Sequence, residues 1–441
     1  MTPSFEGAVE APLRGHATAS HFVVRGWCYE RTGIPVRAVR LNCGLRTFAG
    51  TYGHNRLNLF AALGGSPADA RLGFEVPVAL GTPRVTCAVE AQIADGLWYP
   101  VLTLPFQLSS GSRERNWRAF WRQAWRGEPD VWHDLSEEER DFAAASMRVR
   151  GWLNLALDAQ QPPRPVAFES LPITPVAPTD LPRLTVVTPS FDQATFLEDA
   201  MASVLDQNGV GIDYIVEDGG STDGSADIIR RYEARLAHSH SGPDAGQADA
   251  IARGFARRPG APSDLMMFLN ADDLMLPGVA RFVSEYFATH PEIDVLYGHR
   301  VILNEDGLEV GRWFTPRPAC LGLAFHDLVP QETLFWRRRI WDRVGGINRS
   351  LQFALDWDLL LRFEAAGARV ARVPWFLGGF RIHPRQKTRT CWNEVGLPEI
   401  QALRRRTLGR APRADELHAA MRRAQVDSAL VYAAFQRGRR I

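Results

Sequence analysis

Short apolar runs alternate with longer mixed stretches in the second half of the chain, beginning at Leu184. The apolar runs have the length of buried strands, and the mixed stretches between them suit helices. The strands predicted in this way cover residues 184–188, 213–217 and 264–269, and the helices cover residues 196–207, 226–236 and 246–255. Because such an alternation is typical of βαβ units, we predict an α/β domain with a Rossmann-like sheet.

The first part of the chain has a different pattern. Between about Phe5 and Leu108, short strand candidates are separated by turn residues, and residues 94–96 (Ala-Asp-Gly) form a good hairpin turn. This predicts an all-β, sandwich-like domain that could bind carbohydrate or protein. Its Trp27 and Trp98 suit a buried core better than a sugar-stacking surface.

These patterns divide the chain into four predicted parts. They are a β-sandwich-like domain (1–110), helical segments with a Pro-rich linker (111–182), an α/β domain (183–395) and an Arg-rich helical tail (396–441). Basic residues in the tail could lie on an anionic membrane surface, or the tail could be a helix packed on the α/β domain.

Composition excludes several classes of protein. The formal net charge is +1, so a broad nucleic-acid-binding surface is not expected. No apolar run approaches the ~20 residues of a membrane span, and the first residues do not resemble a signal peptide. The five cysteines are scattered and lack a C-x-x-C spacing, which predicts reduced thiols in a cytoplasmic protein, with peripheral contact to the inner membrane face as an option.

Three acidic clusters carry the candidate chemistry. They occupy residues 217–224, 270–273 and 356–358. The first two directly follow predicted strands, so they lie at the carboxyl ends where open α/β sheets bind ligands. Clustered carboxylates suit a divalent cation, and such a cation suits a phosphate-bearing substrate.

Six short motifs in this order resemble those of family 2 glycosyltransferases with the GT-A fold. The resemblance covers roughly residues 183–390, about half of the chain, and it rests on the order and spacing of the motifs. They are Thr-Pro-Ser-Phe (188–191), Asp-Gly-Gly-Ser-Thr-Asp-Gly-Ser (218–225), Pro-Asp-Ala-Gly-Gln-Ala-Asp-Ala (243–250), Leu-Asn-Ala-Asp-Asp (269–273), Asp-Trp-Asp-Leu (356–359) and Phe-Arg-Ile-His (380–383).

The resemblance implies a site for a nucleotide-diphosphate sugar donor. It implies that Asp218 contacts the base or ribose and that Thr188 lines the same pocket. In an alternative interpretation, Asp218 and Asp223 are turn and cap residues. The residues that we predict to bind the donor are Thr188, Pro189, Ser190, Asp218, Ser221, Asp244, Gln247, Asp249, Asp272, Arg381 and Lys387.

The second cluster corresponds to the D-x-D element of the family, which implies a Mn²⁺ or Mg²⁺ cofactor. This sequence carries Asn270 where many members have Asp, so Asp272 and Asp273 are the predicted carboxylate ligands. Asp273 is the first choice, and His383 could be a third ligand. Hard oxygen ligands suit either ion.

The third cluster implies the catalytic base. The resemblance assigns this role to Asp356, which would remove the proton of the acceptor hydroxyl during an inverting displacement. Asp358 is expected to orient its helix or an Arg. Lys387 is the single lysine of the chain, and with Arg381 it could clamp the leaving diphosphate. Codon drift or simple solvation could also explain it.

These expectations favour an inverting, metal-dependent glycosyltransferase in surface polysaccharide or glycoconjugate assembly. Its acceptor could be a carbohydrate, a lipid-linked molecule or a protein. A sugar nucleotidyltransferase would need a Gly-rich, basic phosphate loop after the first strand, whereas this loop contains Pro189, Phe191 and Asp192. A carbohydrate-binding scaffold with a degenerate transferase domain is a further alternative, against which the presence of Asp273 and Asp356 argues.

Overall fold

The computed structural model describes residues 3–11, 16–17, 21–44, 46–54, 72–80, 84–108, 139, 142–143, 146, 160–167, 170–172, 181–257, 265–435, 438 and 440. The chain divides into two compact units. Unit 1 contains residues 1–154 and 432–439, and unit 2 contains residues 155–431 and 440–441.

Unit 1 is a β-sandwich. Its strands are β1 (Phe5–Ala11), β2 (His16–Ala17), β3 (His21–Glu30), β4 (Ala38–Asn42), β5 (Thr47–Ala49), β6 (Thr51–His54), β7 (Gly73–Ala79), β8 (Arg84–Gln92) and β9 (Trp98–Leu108). They form one sheet in the order β1-β3-β7-β6 and a second in the order β2-β9-β8-β4-β5. Alternate side chains of both sheets, including Val24, Val76, Leu41 and Val89, form one buried core, which confirms the all-β prediction.

A disulfide joins the two neighbouring strands β4 and β8. Asn42 pairs with Ala88, so the next residue, Cys43, lies opposite Cys87, and the two are bonded. The prediction that all five cysteines are reduced is therefore wrong for this pair. Sequence spacing could not reveal it, because strand register brings together cysteines that are 44 residues apart. Cys28, Cys320 and Cys391 are free.

Unit 2 is built on a nine-stranded mixed sheet. Its strands are β10 (Leu184–Ser190), β11 (Ile212–Asp218), β12 (His238–Ser241), β13 (Leu265–Phe268), β14 (Leu274–Met275), β15 (Val295–Leu303), β16 (Glu309–Trp313), β17 (Phe335–Arg337) and β18 (Val370–Arg381). The order is β12-β11-β10-β13-β17-β15-β18-β14, with β16 on β15. The first four strands are parallel, and β17 runs antiparallel to β13.

The helices from residue 194 onward largely follow the predicted pattern. They are α1 (Ala194–Leu205), α2 (Ser225–Tyr232), α3 (Gln247–Arg257), α4 (Val279–Thr289), α5 (Arg338–Val344), α6 (Leu355–Ala365), α7 (Lys387–Thr390), α8 (Leu397–Leu408) and α9 (Ala414–Phe435). The first three predicted helices differ from α1, α2 and α3 by four residues or fewer at each end. No helix among the described residues is both long enough and apolar enough to cross a lipid bilayer.

The strand order places a topological switch point between β10 and β13. Strands β11 and β12 follow β10 on one side, and β13 lies on the other side. Ligands of open α/β sheets bind in the crevice at such a point, outside the carboxyl ends of the strands. Ser190 ends β10 at this edge, and Asn270 follows β13.

Two segments flank the sheet of unit 2. The start of the Pro-rich segment pairs with β16, where Arg164 forms a bridge with Glu309. The Arg-rich tail forms α8 and α9, and Arg406 pairs with Asp358 of α6 at 2.5 Å. Arg410 pairs with Glu416 of α9 at 2.6 Å. The Arg406–Asp358 pair therefore attaches α8 to α6.

Candidate active site

The carboxyl end of β10 forms one wall of the switch-point crevice. Thr188, Pro189 and Ser190 close the strand, and the hydroxyl of Thr188 lies 2.9 Å from that of Tyr214. Ser190 is buried, and its hydroxyl oxygen has no hydrogen-bond partner within the described part of the chain. An unpartnered buried hydroxyl at this position is available to a ligand.

Asp218, at the end of β11, organises a turn. Its carboxylate accepts hydrogen bonds from the hydroxyls of Ser221 at 2.5 Å and Ser241 at 2.6 Å. It also accepts the backbone N–H groups of Gly220 and Ser221. Because these donors already occupy both oxygens, the geometry favours the turn-organising role that the sequence left open as an alternative.

An exposed aromatic ring lies beside this turn. Phe191 is 62% exposed. A Cβ atom at Gly219 would lie 3.2 Å from the Asp244 carboxylate and 3.2 Å from the Phe191 ring, so glycine allows these groups to approach the turn closely. An aromatic face next to a carboxylate suits a planar base that carries N–H or hydroxyl donors.

One contact between a carboxylate and an imidazole joins the second acidic cluster to the segment that follows β18. Asp272 Oδ2 lies 3.0 Å from His383 Nε2. His383 is buried, its ring packs on Phe196, and its Nδ1 has no hydrogen-bond partner among the residues that the structure describes. Two neighbouring ligands of an octahedral cation with bonds of ~2.1 Å would lie about 3 Å apart, so this pair has suitable spacing.

Asp273 has a different environment. It is 1% exposed, and its carboxylate accepts the backbone N–H of Arg381 at 3.1 Å and the side-chain amide of Asn270 at 3.3 Å. Burial, followed by the charges of Asp272 and Glu332, raises the pKa of Asp273 well above its usual range. The sequence points first to Asp273 as the metal ligand, whereas the geometry favours Asp272 in this role.

Arg381 holds this loop in place. Its guanidinium donates to the carbonyl oxygens of Asp272 and Glu305 and to the carboxylate of Asp199. It also lies over the Phe196 ring at 4.8 Å, and it is buried. Because its nitrogens already have protein acceptors, a structural role is favoured over the predicted contact with a diphosphate.

The donor set fits a divalent cation that is completed by the substrate. Among the described residues, no three His, Cys, Asp or Glu side chains are arranged to hold a metal ion by themselves. Asp272 and His383 offer two ligands. Mg²⁺ in particular is commonly bound by one or two protein ligands together with substrate phosphates and water.

Asp356 lies in the first turn of α6. Its Oδ1 accepts the backbone N–H of Trp357 at 2.9 Å, which fixes the orientation of the carboxylate. Burial raises the pKa of Asp356; the Trp357 N–H and the charge of Arg300 act in the opposite direction. A carboxylate with a raised pKa binds a proton more readily, as a general base requires.

Three charged residues near Asp356 were missed by the sequence analysis. Arg300 and Glu332 form a buried bidentate pair with distances of 2.7 and 2.6 Å. Water reaches Asp327, yet the surrounding protein desolvates it enough to raise its pKa well above the usual range, and the Asp356 charge adds to this. Arg300 interrupts the apolar run of β15, which is a signal that the sequence contained.

Asp358 behaves as expected from the sequence. It is fully buried and accepts hydrogen bonds from Arg362 at 2.7 Å and Arg406 at 2.5 Å. These pairs confirm that Asp358 orients arginines. The two acids of the third cluster therefore have different partners, and only Asp356 is free of an ion pair with α8.

Lys387 joins two loops. Its Nζ donates to Gln247 Oε1 at 2.6 Å and to the carbonyl oxygen of Gln352 at 2.9 Å. Gln247 in turn donates to Asn270 Oδ1 at 2.7 Å. The lysine therefore connects the second acidic cluster with the segment that leads to Asp356.

The remaining predicted donor residue, Asp249, lies in the first turn of α3. It is buried, and its carboxylate pairs with Arg253 at 2.6 Å and with Arg349 at 3.5 Å. It also accepts the backbone N–H of Ala245. These contacts fix the loop that carries Asp244.

Glu399 was not identified from the sequence. From α8 it accepts the backbone N–H groups of Gln352, Phe353 and Ala354 at 2.8, 2.9 and 2.9 Å. Ala354 is the N-cap of α6 and provides no side-chain cap. Glu399 therefore supplies hydrogen-bond acceptors to the segment that precedes the helix of Asp356.

The fold and the site together are those of a glycosyltransferase of the GT-A type. The family profile described as "Glycosyl transferase family 2" matches residues 185–344. An uncharacterised glycosyltransferase of Mycobacterium tuberculosis is 30% identical over 189 residues, which cover 42% of this chain and 70% of that protein. The chain belongs to glycosyltransferase family 2.

Two further similarities were found. A PGL/p-HBAD biosynthesis glycosyltransferase of Mycobacterium bovis is 27% identical over 199 residues, covering 43% of this chain and 73% of that protein. The solved structure of the mannosyltransferase PcManGT from Pyrobaculum calidifontis, in complex with GDP-Man and Mn²⁺, is 16% identical and covers 73% of this chain and 85% of that chain. Its TM-score is 0.41, and no conclusion rests on it. The family match ends before Asp356, so the roles of that residue, His383 and Lys387 rest on geometry.

Proposed function

We propose that this glycosyltransferase is inverting and metal-dependent, and that it transfers a sugar from a nucleotide-diphosphate sugar to an acceptor hydroxyl. The observation that supports this most is the bridge made by Lys387. The bridge connects the loop of Asp272 with the segment that precedes Asp356. A cation site and a base are thus linked through Asn270, Gln247 and Lys387, which keeps them close together, as a single transfer reaction requires.

The donor is proposed to bind at the switch point. Thr188, Pro189 and Ser190 line the base and ribose end, with Phe191 and Asp244 at its border. Asp218 and Ser221 shape the turn below the nucleotide, and Asp249 fixes the loop of Asp244. Gln247 and Lys387 lie on the side of the diphosphate.

Asp272 and His383 are the proposed metal ligands. When bound, Mn²⁺ or Mg²⁺ supplies Lewis-acid stabilisation of the leaving diphosphate. Asp273 and Arg381 hold the Asp272 loop in place through their mutual hydrogen bond. Asn270 links that loop to Gln247.

Asp356 is the proposed general base. Its Oδ2 can accept the proton of the acceptor hydroxyl while Oδ1 stays bonded to the Trp357 N–H. The acceptor oxygen then attacks the anomeric carbon from the face opposite the leaving nucleotide, which inverts the configuration. General-base assistance typically contributes ~10²–10⁴ in rate.

The acceptor is proposed to belong to a surface polysaccharide or other glycoconjugate. The Mycobacterium bovis relative is named for PGL/p-HBAD biosynthesis, which supports a role of this kind. Carbohydrate, lipid-linked and protein acceptors all fit such assembly. A cytoplasmic location, with possible contact to the inner membrane face, was expected from reduced cysteines, and the Cys43–Cys87 bond weakens that support.

The proposal can be tested with a panel of UDP-, GDP- and dTDP-sugars in the presence of Mn²⁺ or EDTA. Nucleotide release should require the metal and should be lost in Asp356→Asn, while donor affinity in calorimetry stays near wild type. Asp342→Asn, on the exposed side of α5, is the matched control and should retain activity. Metal-independent turnover, or an active Asp356→Asn variant, would contradict the mechanism.

A further inference from the structure

Large exposed apolar side chains are few in the described part of unit 2, and two of them lie within six residues just after the Lys387 helix. Trp392 is 43% exposed and Leu397 is 37% exposed. Large apolar side chains that stay exposed together often mark a binding surface. The third exposed side chain of this kind, Phe191, lies at the nucleotide end of the site.

Trp392 is part of a built arrangement. Its ring meets the Phe353 ring edge to face, with centroids 5.7 Å apart and an interplanar angle of 74°. A Cβ atom at Gly396 would lie 3.0 Å from the Phe353 ring, so a larger residue at this position would push the ring away. Trp392 begins a π-helical turn that ends at Gly396, and such turns are frequent at functional sites.

Hydrogen bonds fix the position of the segment that carries Phe353 and leads to Asp356. Glu399 accepts the backbone N–H groups on both sides of Phe353 as well as its own. Lys387 donates to the carbonyl oxygen of Gln352. Phe353 precedes Asp356 by three residues, so its ring has a fixed position relative to the base.

The same region lies close to the reacting groups. Desolvation lowers the pKa of Lys387, while the charges of Glu399, Asp356 and Asp272 act in the opposite direction. Lys387 is therefore near the base and near the cation site at once. The π-helical turn with Trp392 follows it within one short helix.

We propose that Trp392 and Phe353, with the exposed Leu397 five residues after Trp392, form an acceptor platform that binds a pyranose ring of a carbohydrate acceptor. The C–H face of a pyranose can pack on the exposed indole while its hydroxyl groups remain in water or reach polar neighbours. This inference rests on the proposed function, since it names the acceptor class for the same site.

The surroundings favour a sugar over an acyl chain. Gln352, Asn393 and Glu394 are exposed around the platform, so it has an apolar centre with a polar border. A sugar ring has the same division between an apolar face and a hydroxyl rim. An acyl chain would need a continuous apolar groove, which three side chains do not provide.

The test uses the full chain labelled with 5-fluorotryptophan. Trp392→Phe identifies the ¹⁹F resonance of Trp392, and the other tryptophans are internal controls. The protein is titrated with methyl glycosides of glucose, galactose, mannose, rhamnose and N-acetylglucosamine, in the presence of Mn²⁺ and UDP or GDP. We expect at least one glycoside to shift the Trp392 resonance selectively.

Two results would overturn the proposal. One is a Trp392 resonance that no glycoside shifts. The other is a resonance that responds only to vesicles of phosphatidylglycerol, which would indicate a lipid surface instead. Because the readout is binding at one ring, it does not depend on turnover. A wild-type protein that shows this shift but turns over no donor would count against the proposed function and in favour of the platform.

A kinetic experiment adds a second criterion. With a glycoside that shifts the resonance as acceptor, Trp392→Ala should raise the acceptor KM by about tenfold, consistent with the loss of ~1.4 kcal/mol of ring packing. Donor hydrolysis without acceptor should stay within twofold of wild type. Trp392→Phe should recover part of the loss, and Leu97→Ala, which removes an exposed apolar side chain of unit 1, should change nothing. An unchanged acceptor KM in Trp392→Ala would overturn the proposal.

Discussion

At the scale of single residues, the charge of Arg300 influences the pH at which Asp356 can act as a base. Burial raises the pKa of Asp356, and Arg300 opposes this rise. Since a base works only when it is deprotonated, transfer should be lost as the pH falls through this pKa. Arg300→Gln removes the opposing charge, so we expect the acid limb of the kcat/KM profile to move to higher pH.

The pH experiment needs two companion variants. Arg300→Lys keeps a positive charge and should leave the acid limb nearer to its wild-type position. Arg300→Gln also leaves the buried Glu332 without its partner, at a cost of ~3–5 kcal/mol. The double variant with Glu332→Gln removes this unpaired charge, and because Glu332 has the smaller effect on Asp356, the limb should still move upward. An acid limb that does not move in the folded variants would show that Asp356 does not control it.

Substitution of Asp272 should affect metal-dependent binding, whereas substitution of Asp273 should affect stability. Asp272 faces His383, whereas both oxygens of Asp273 accept protein hydrogen bonds. Asp272→Asn should therefore weaken Mn²⁺-dependent nucleotide binding with little change in thermal stability. Asp273→Asn should destabilise the protein by ~1–3 kcal/mol through its buried hydrogen bonds while nucleotide binding still depends on Mn²⁺. Calorimetric titration and thermal melts distinguish the two, and the reverse pattern would restore Asp273 as the ligand.

At the scale of elements, helix α8 positions the helix that carries the base. Glu399 accepts three backbone N–H groups just before α6, whose N-cap is an alanine. Glu399→Ala should lower kcat by roughly tenfold or more, because a displaced carboxylate loses alignment with the acceptor. The donor dissociation constant should remain near wild type, since the hydrogen bonds of Glu399 within the described part of the chain go to the segment that precedes Asp356.

A matched substitution separates positioning from a general loss of structure. Gln401 is exposed on α8 itself, and Gln401→Ala should leave kcat unchanged. Glu399→Gln keeps one acceptor oxygen and should retain an intermediate kcat. If Glu399→Ala raised the donor dissociation constant as much as it lowered kcat, α8 would support the whole site and not the base alone.

The disulfide between β4 and β8 gives a prediction for unit 1. Protein purified without reductant should contain three titratable thiols, from Cys28, Cys320 and Cys391, when it is denatured. Reduction should expose the two others and destabilise unit 1 by ~2–4 kcal/mol, because the bond restricts the unfolded chain. Five titratable thiols before reduction would show that the bond does not form and would restore the reduced state expected from the sequence.

Elements that follow local patterns were predictable, and contacts between distant segments were not. The strands β10, β11 and β13 and the helices between them follow from alternating apolar runs, and the motif order predicted the GT-A fold. Glu399 gave no signal, because its partners are backbone groups 45 to 47 residues away. Arg381 looked like a free loop cation and proved to be buried, because its acceptors come from α1 and from two loops of the sheet.

At the scale of the whole molecule, the chain contains two compact units with different stabilising features. Unit 1 contains the Cys43–Cys87 bond, and unit 2 contains the proposed donor and metal site. A ligand that binds only the folded state raises the stability of the unit that binds it. We therefore expect nucleotide binding to stabilise unit 2 and disulfide reduction to destabilise unit 1, each without affecting the other unit.

Differential scanning calorimetry can test this expectation. UDP or GDP with Mn²⁺ at about 100 times its dissociation constant should stabilise unit 2 by ~2.7 kcal/mol, which corresponds to a rise in Tm of roughly 5–10 °C. EDTA should abolish the rise, because without a cation the Asp272 carboxylate repels the negatively charged diphosphate. Reduction of the disulfide should lower only the transition of unit 1. A single transition that responds to both treatments would show that the units unfold together, and a nucleotide effect that survives EDTA would contradict metal dependence.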